Sequence, residues 1–312
     1  MAKYLVTGGA GFIGSNIAER LLAAGHSVRI IDNFATGRRE NIAPFRSRIE
    51  LAEGDIRQMK DAEDAVRGVD YVLHLAALPS VPASIENPRA CHEANIDGTF
   101  NVLMAARDAK VKRLVYSASS SAYGNAPQLP NREDFAPMPL SPYAVAKLTG
   151  EYYCQVFTTI FGLECVVLRY FNVFGPKQNP ASQYAAVVPK FITSLLAGKA
   201  PTIFGDGEQS RDLTFVENVY LANLLASTAK GAAGQVFNVA CGTPISINRL
   251  VDLLNEILGT TIKAEHVPER PGEVKHSHAD ITKARTILRF EPPVDLRAGL
   301  ERTVEWYRRN DE

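Results

Sequence analysis

Tyr4-Leu5-Val6-Thr7-Gly8-Gly9-Ala10-Gly11-Phe12-Ile13-Gly14 decides how the rest of the chain is read. A short β-favouring run enters a glycine-rich turn. Ile13, Ile17 and Leu21 then recur every four residues, the spacing of one buried helix face. The stretch therefore predicts a strand at 4–7, a tight turn and a helix. Positions without side chains at such a turn let the backbone approach a pyrophosphate at the positive end of the helix. Gly8, Gly11 and Gly14, with Phe12 and Ile13 between them, are the first candidate cofactor contacts.

Outward from this unit, short apolar runs at 27–32, 49–53, 71–75, 113–117 and 165–170 alternate with amphipathic segments. Segments 95–109 and 142–161 read as the longer helices. This alternation predicts an α/β fold with a doubly wound parallel sheet of the Rossmann type over residues 1–175. Prolines at 176, 180, 189 and 201 mark a change of texture. A smaller α/β C-terminal substrate domain is expected over 176–312. Strands expected at 213–219 and 236–240 return the chain to the first domain, and helices at 247–258 and 295–308 complete it. There is no internal repeat and no low-complexity tract.

Asp32 closes the second predicted strand, with Asn33 next to it. A carboxylate there accepts hydrogen bonds from an adenosine ribose and repels a 2′-phosphate, which favours NAD over NADP. Arg38 and Arg39 lie close in sequence and pull the other way. Asp55 and Ile56 follow the third strand, where an adenine edge would lie. Leu75, Ala76 and Ala77 follow the fourth, where small residues let a cofactor pass closely. Singly, these residues equally fit an ordinary turn and a solvated acid; strand, glycines, helix and acid in one unit do not.

A second constellation lies downstream, Ser117-Ala118-Ser119-Ser120-Ser121 followed by Ser141-Pro142-Tyr143-Ala144-Val145-Ala146-Lys147. A phenol is a poor base near neutral pH, and a lysine one helical turn away stabilises its phenolate. A Tyr-x-x-x-Lys pair alone is weak, but its order after the glycine turn and the serine run points to nicotinamide chemistry on a hydroxyl.

The chain has 312 residues, an apolar fraction of 46%, and 34 basic against 34 acidic side chains. Bulk charge offers nothing to nucleic acid or to a membrane surface, so an anionic ligand must be held by a local site. Cys91, Cys154, Cys165 and Cys241 lack metal-ligand spacing and read as reduced packing residues; no metal is expected. The first strand begins directly at the N-terminus and no stretch reaches membrane-spanning length, so a cytoplasmic protein is expected.

From Thr7-Gly8-Gly9-Ala10-Gly11-Phe12-Ile13-Gly14 to Ala279-Asp280-Ile281-Thr282-Lys283 the chain resembles the extended short-chain dehydrogenase/reductase family, and within it the UDP-sugar 4-epimerases. The resemblance implies that Tyr143 is the general base and acid. It gives Lys147 the nicotinamide ribose, Ser119 the reacting hydroxyl, and Asn95 a supporting place beneath them. Ser117 and Tyr170 would border the cofactor. Dehydratases of the family carry Asp-Glu directly after the hydroxyl residue, and UDP-glucuronate decarboxylases carry a glutamate at the second position. Here Ser120 and Ser121 stand there, which leaves reversible oxidation at one carbon.

On the sugar-nucleotide side, the resemblance assigns the diphosphate to Asn172, Arg211 and Arg270, the uridine ribose to Glu273, and the uracil neighbourhood to Val188. Ser121 would face the sugar. Ser277 stands where glucose/galactose-restricted members carry a tyrosine, so room for a C2 N-acetyl group is implied. His278 replaces a family tryptophan and Pro79 a cofactor-contacting lysine. A homodimer through 95–109 and 142–161 is implied as well. A UDP-glucuronate 4-epimerase and a non-catalytic NAD-binding regulator remain as alternatives.

Overall fold

Valine-, isoleucine- and leucine-rich runs too short for helices form the centre of the molecule, whose computed structural model describes residues 1–180, 186–269 and 274–310. Seven strands make one sheet: β1 (Lys3–Thr7), β2 (Ser27–Asp32), β3 (Ile49–Glu53), β4 (Tyr71–His74), β5 (Arg113–Ser119), β6 (Cys165–Tyr170) and β7 (Val236–Val239). Their order is β7-β6-β5-β4-β1-β2-β3, and every pairing is parallel. All the strand C-termini therefore lie along one edge. Thr7 is in register with both Ile31 and His74, and Ser119 with Tyr170. The order reverses between β1 and β4, which opens a crevice at the glycine turn.

The α-helices of eight or more residues are α1 (Phe12–Ala23), α2 (Met59–Val66), α3 (Gly98–Asp108), α4 (Pro142–Phe161), α5 (Val187–Leu196), α6 (Val216–Thr228), α7 (Ile247–Leu258) and α8 (Leu296–Asn310). On one sheet face Ile17, Leu21, Ala222 and Ala226 of α1 and α6 pack with Leu73 and Phe237. On the other, Ala62, Leu103 and Phe157 of α2, α3 and α4 pack with Leu5 and Val72. A third core joins Phe174, Ile192, Phe215, Leu250, Leu254 and Val304 beyond the sheet edge. Strands buried on both faces read as unbroken apolar runs, which is why they were legible.

α4 carries the Tyr-x-x-x-Lys pair, and its ends are encoded locally. Ser141 Oγ accepts the Ala144 amide at 3.1 Å, Pro142 occupies the first turn, and Gly162 ends the helix at φ 71°. Tyr143 thus falls in the first turn and Lys147 one turn later.

Two expected elements differ. In 213–219 only Thr214–Phe215 is extended, against Val173–Phe174, and Val216 already begins α6. Buried Val216, Val219, Ala222, Asn223, Ala226 and Ser227 follow helical spacing, but the buried polar members hid that period in the sequence. The 95–109 helix starts as a π-helical turn, Glu93–Asp97, before α3. The sequence reading placed no element at Met59–Val66 or Val187–Leu196, both helical. Among the described residues no helix is long and apolar enough to cross a membrane. No group of three potential metal ligands occurs among them either.

Candidate active site

At the head of the crevice the turn is closed by backbone contacts that leave no room for side chains. Gly8 has φ +68°, and a Cβ there would lie 2.8 Å from Ala76 Cα. A Cβ on Gly14 would lie 2.3 Å from the Gly8 carbonyl oxygen. Gly11 caps the start of α1, and beyond its chain neighbours the nearest atom its added Cβ would meet among the described residues is that same oxygen, at 3.2 Å. This is the cradle a pyrophosphate needs.

Asp32 is buried, and its two oxygens accept the Ala10 and Phe34 amides at 2.8 Å each. It therefore holds the glycine turn to β2. Arg39 forks onto Glu53 with two bonds of 2.7 Å and lies 4.1 Å above the Phe34 ring, a commitment that takes it away from a 2′-phosphate. Asn33 bonds Asp55, which Arg57 holds down at about 2. The Ile56 side chain points into the α2–α3 core, close against Gly98.

A buried network missed in the sequence supports the other wall. Thr7 Oγ1 accepts the Leu75 and Ala76 amides at 3.1 and 3.0 Å, and lies 2.7 Å from His74 Nδ1. His74 Nε2 lies 3.0 Å from Thr99 Oγ1, which donates to the Asn95 carbonyl. Bond counting then has Thr7 donating to Nδ1 and Nε2–H donating to Thr99. Burial, with Lys147 nearby, pushes His74 down to about 3, so the ring stays neutral. Asn95 clamps the following segment, Oδ1 accepting the Leu78 amide at 2.7 Å. A histidine inside an apolar strand gave no distinctive signal.

Lys147 is buried and donates to the Ser117 carbonyl at 2.8 Å. Ser117 Oγ meets the Tyr170 hydroxyl at 2.9 Å, and Asn223 holds that hydroxyl from behind. Tyr170 is thus fixed in place. The Tyr143 amide donates to Ser84 Oγ at 3.1 Å, and the residue is partly exposed. Burial pushes the Tyr143 phenol up to about 12, against a hydrogen bond with Ser119 that lowers it. The same burial brings Lys147 down to about 8. Each charge is disfavoured alone. One turn below Lys147, buried Glu151 bonds Arg169 at 2.7 Å, and Arg169 lies 4.6 Å from the Tyr123 ring under the serine run. Ser121 donates its amide to Ser119 Oγ at 3.2 Å, and its own buried hydroxyl has no partner among the described residues.

The chain belongs to the NAD dependent epimerase/dehydratase family, which it matches over residues 4–240. Its fold is that of the solved epimerases. The UDP-N-acetylglucosamine 4-epimerase from Methanobrevibacter ruminantium M1, solved with UDP-N-acetylmuramic acid, is 40% identical at a TM-score of 0.94, with 99% of each chain covered. The UDP-glucuronic acid 4-epimerase from Bacillus cereus, solved with UDP-glucuronic acid and NAD, is 35% identical at 0.91, again over 99% of each. The UDP-glucose 4-epimerase of Mycolicibacterium smegmatis is 38% identical over 319 residues, covering 99% of this chain and 100% of that protein. NAD is the cofactor of this epimerase family, and the glycine cradle, Asp32 and the committed Arg39 fit it.

Past the strand ends, the sugar-nucleotide candidates divide. Asn172, at φ +35°, donates to Ser277 Oγ at 3.1 Å and to the Asp212 carbonyl at 3.2 Å. Arg211 Nη1 donates to the Ser210 and Lys275 carbonyls at 2.9 and 3.1 Å. These three are brought together. Val188 turns its side chain into the third core, 1% exposed, so any ligand contact there falls to its backbone. Arg270 and Glu273 lie outside the described residues. His278 is half-buried, with Nε2 3.3 Å from the Gly242 carbonyl.

Proposed function

We propose that this epimerase-family enzyme interconverts C4 epimers of UDP-sugars, UDP-glucose with UDP-galactose and UDP-N-acetylglucosamine with UDP-N-acetylgalactosamine, through a 4-keto intermediate. One observation supports the reading: Tyr143 meets Ser119 at the end of β5, and Lys147 one turn on donates to Ser117 of the same strand, while Ser120 and Ser121 supply no further acid or base. Tyr143 takes the C4 hydroxyl proton, Ser119 holds that oxygen, and Lys147 compensates the phenolate. NAD, when bound, supplies a reversible hydride acceptor at C4. Tyr143 then returns the proton to whichever epimer forms. Asn172, Arg211, Arg270 and Glu273 hold the nucleotide, and Ser277 forms the wall beside C2. Free Cys91, Cys154, Cys165 and Cys241 suit a cytoplasmic setting.

A UDP-glucuronate 4-epimerase is the second reading, since the Bacillus cereus structure shares the fold over the full chain. Incubation with UDP-glucose, UDP-N-acetylglucosamine and UDP-glucuronate, followed by separation of C4 epimers, distinguishes the readings. Turnover of the first two is expected. Turnover of the glucuronate alone selects the second reading, and no epimer from any of them sinks both in favour of a non-catalytic NAD-binding protein.

The enzyme is also proposed to act as a homodimer. Val145, Tyr152, Val156 and Ile160 are 46–71% exposed along one face of α4, an apolar stripe that a second copy would cover. Replacing Val156 with Glu should shift the sedimentation of the protein to that of a monomer. A wild-type protein that sediments as a monomer rejects the dimer outright.

A further inference from the structure

Three segments far apart in sequence form the candidate sugar-nucleotide wall, and one buried residue ties them through its side chain and its main-chain carbonyl. Asp212 is 0% exposed, yet it is a carboxylate. Its Oδ1 accepts the Cys241 and Gly242 amides at 3.1 and 3.2 Å, and its Oδ2 accepts those of Gly242 and Ala279 at 3.1 and 3.2 Å. Its main-chain carbonyl accepts Asn172 Nδ2. A buried charge is tolerated only where such donors converge, so the 241–242 and 279 stretches cannot separate from Asp212 without stranding it.

Three candidate ligand residues lie on or beside these ties. Arg211 precedes Asp212 directly. Ser277 lies two residues before Ala279 and donates its own amide to the Ser210 carbonyl at 3.0 Å. Asn172, in the left-handed region that asparagine tolerates, reaches both Ser277 Oγ and Asp212. The loop after β7 completes the knot, with the Gly242 carbonyl 3.3 Å from His278 Nε2.

We infer that Asp212 is the positioning residue of the sugar-nucleotide site, setting Asn172, Arg211 and Ser277 in one geometry for a nucleoside diphosphate moiety without itself touching it. The inference rests on the UDP-sugar reading above. In Asp212→Asn an amide N–H replaces one acceptor and faces the amides of Gly242 and Ala279, so the 277–279 stretch loses its tie.

Calorimetric titration with UDP, read beside NAD content, tests this. Wild-type protein should bind UDP, and Asp212→Asn should bind it at least ~10-fold more weakly with NAD content unchanged, a split that general unfolding would not produce. If Asp212→Asn does not fold, Asp212→Glu keeps the buried charge but moves the carboxylate by one methylene, and the same weakening is expected. Wild-type binding matched within twofold by the folded variant overturns the role of Asp212 alone. Wild-type protein that binds no UDP overturns the UDP-sugar reading and this inference with it.

Discussion

Tyr143→Phe should lower turnover by more than ~10²-fold, the lower range for a positioned acid/base, while fold and NAD content stay as they are. The substitution deletes one oxygen and keeps the ring. Its structural cost is small, because the Tyr143 backbone is held independently by Ser84 and the helix start by Ser141. In the proposed mechanism its chemical cost is large, because the position beside Ser119 then has no proton to give or take. Lys147 cannot replace the phenol: it is buried and donates to the Ser117 carbonyl, on the sheet side of the helix. The measurement is single-substrate turnover of UDP-glucose beside NAD release on denaturation. Wild-type turnover in the variant would remove Tyr143 from the mechanism.

The parallel sheet and the α4 boundaries could be read from sequence because their determinants are local. β2, β3 and β6 fall within the expected bounds of their apolar runs, and Ser141, Pro142 and Gly162 spell the ends of α4. The site was legible where a motif carries its own geometry, as in Gly8 to Gly14 or Tyr143 to Lys147. It was not legible where function is spread through long-range polar pairing. His74 lies 67 residues from Thr7 and Asp212 lies 67 from Ala279, so nothing near either in sequence announces its partners. α6 was misread for a related reason: Asn223 and Ser227 are buried for their hydrogen bonds and erased the apolar period. Val188 shows the converse, since a residue matched by resemblance proves to face the core.

Ser277→Tyr should depress turnover of UDP-N-acetylglucosamine and UDP-N-acetylgalactosamine by roughly 5- to 150-fold, the equivalent of ~1–3 kcal/mol of overpacking, and spare UDP-glucose. Ser277 is half-buried, and its hydroxyl accepts from Asn172 Nδ2 at 3.1 Å, so its side chain sits against a residue proposed to hold the diphosphate. On the proposed reading, the 4-ketose presents both faces to the cofactor during epimerisation and its C2 substituent sweeps the space beside that wall. A serine leaves the sweep open. A tyrosine ring occupies it, and an acetamido group is obstructed where a hydroxyl still passes. The comparison of the two substrate pairs within one variant cancels any general loss from the broken Asn172 bond, because that loss falls on both. Equal slowing of both pairs would show that the C2 selectivity lies on some other wall of the site.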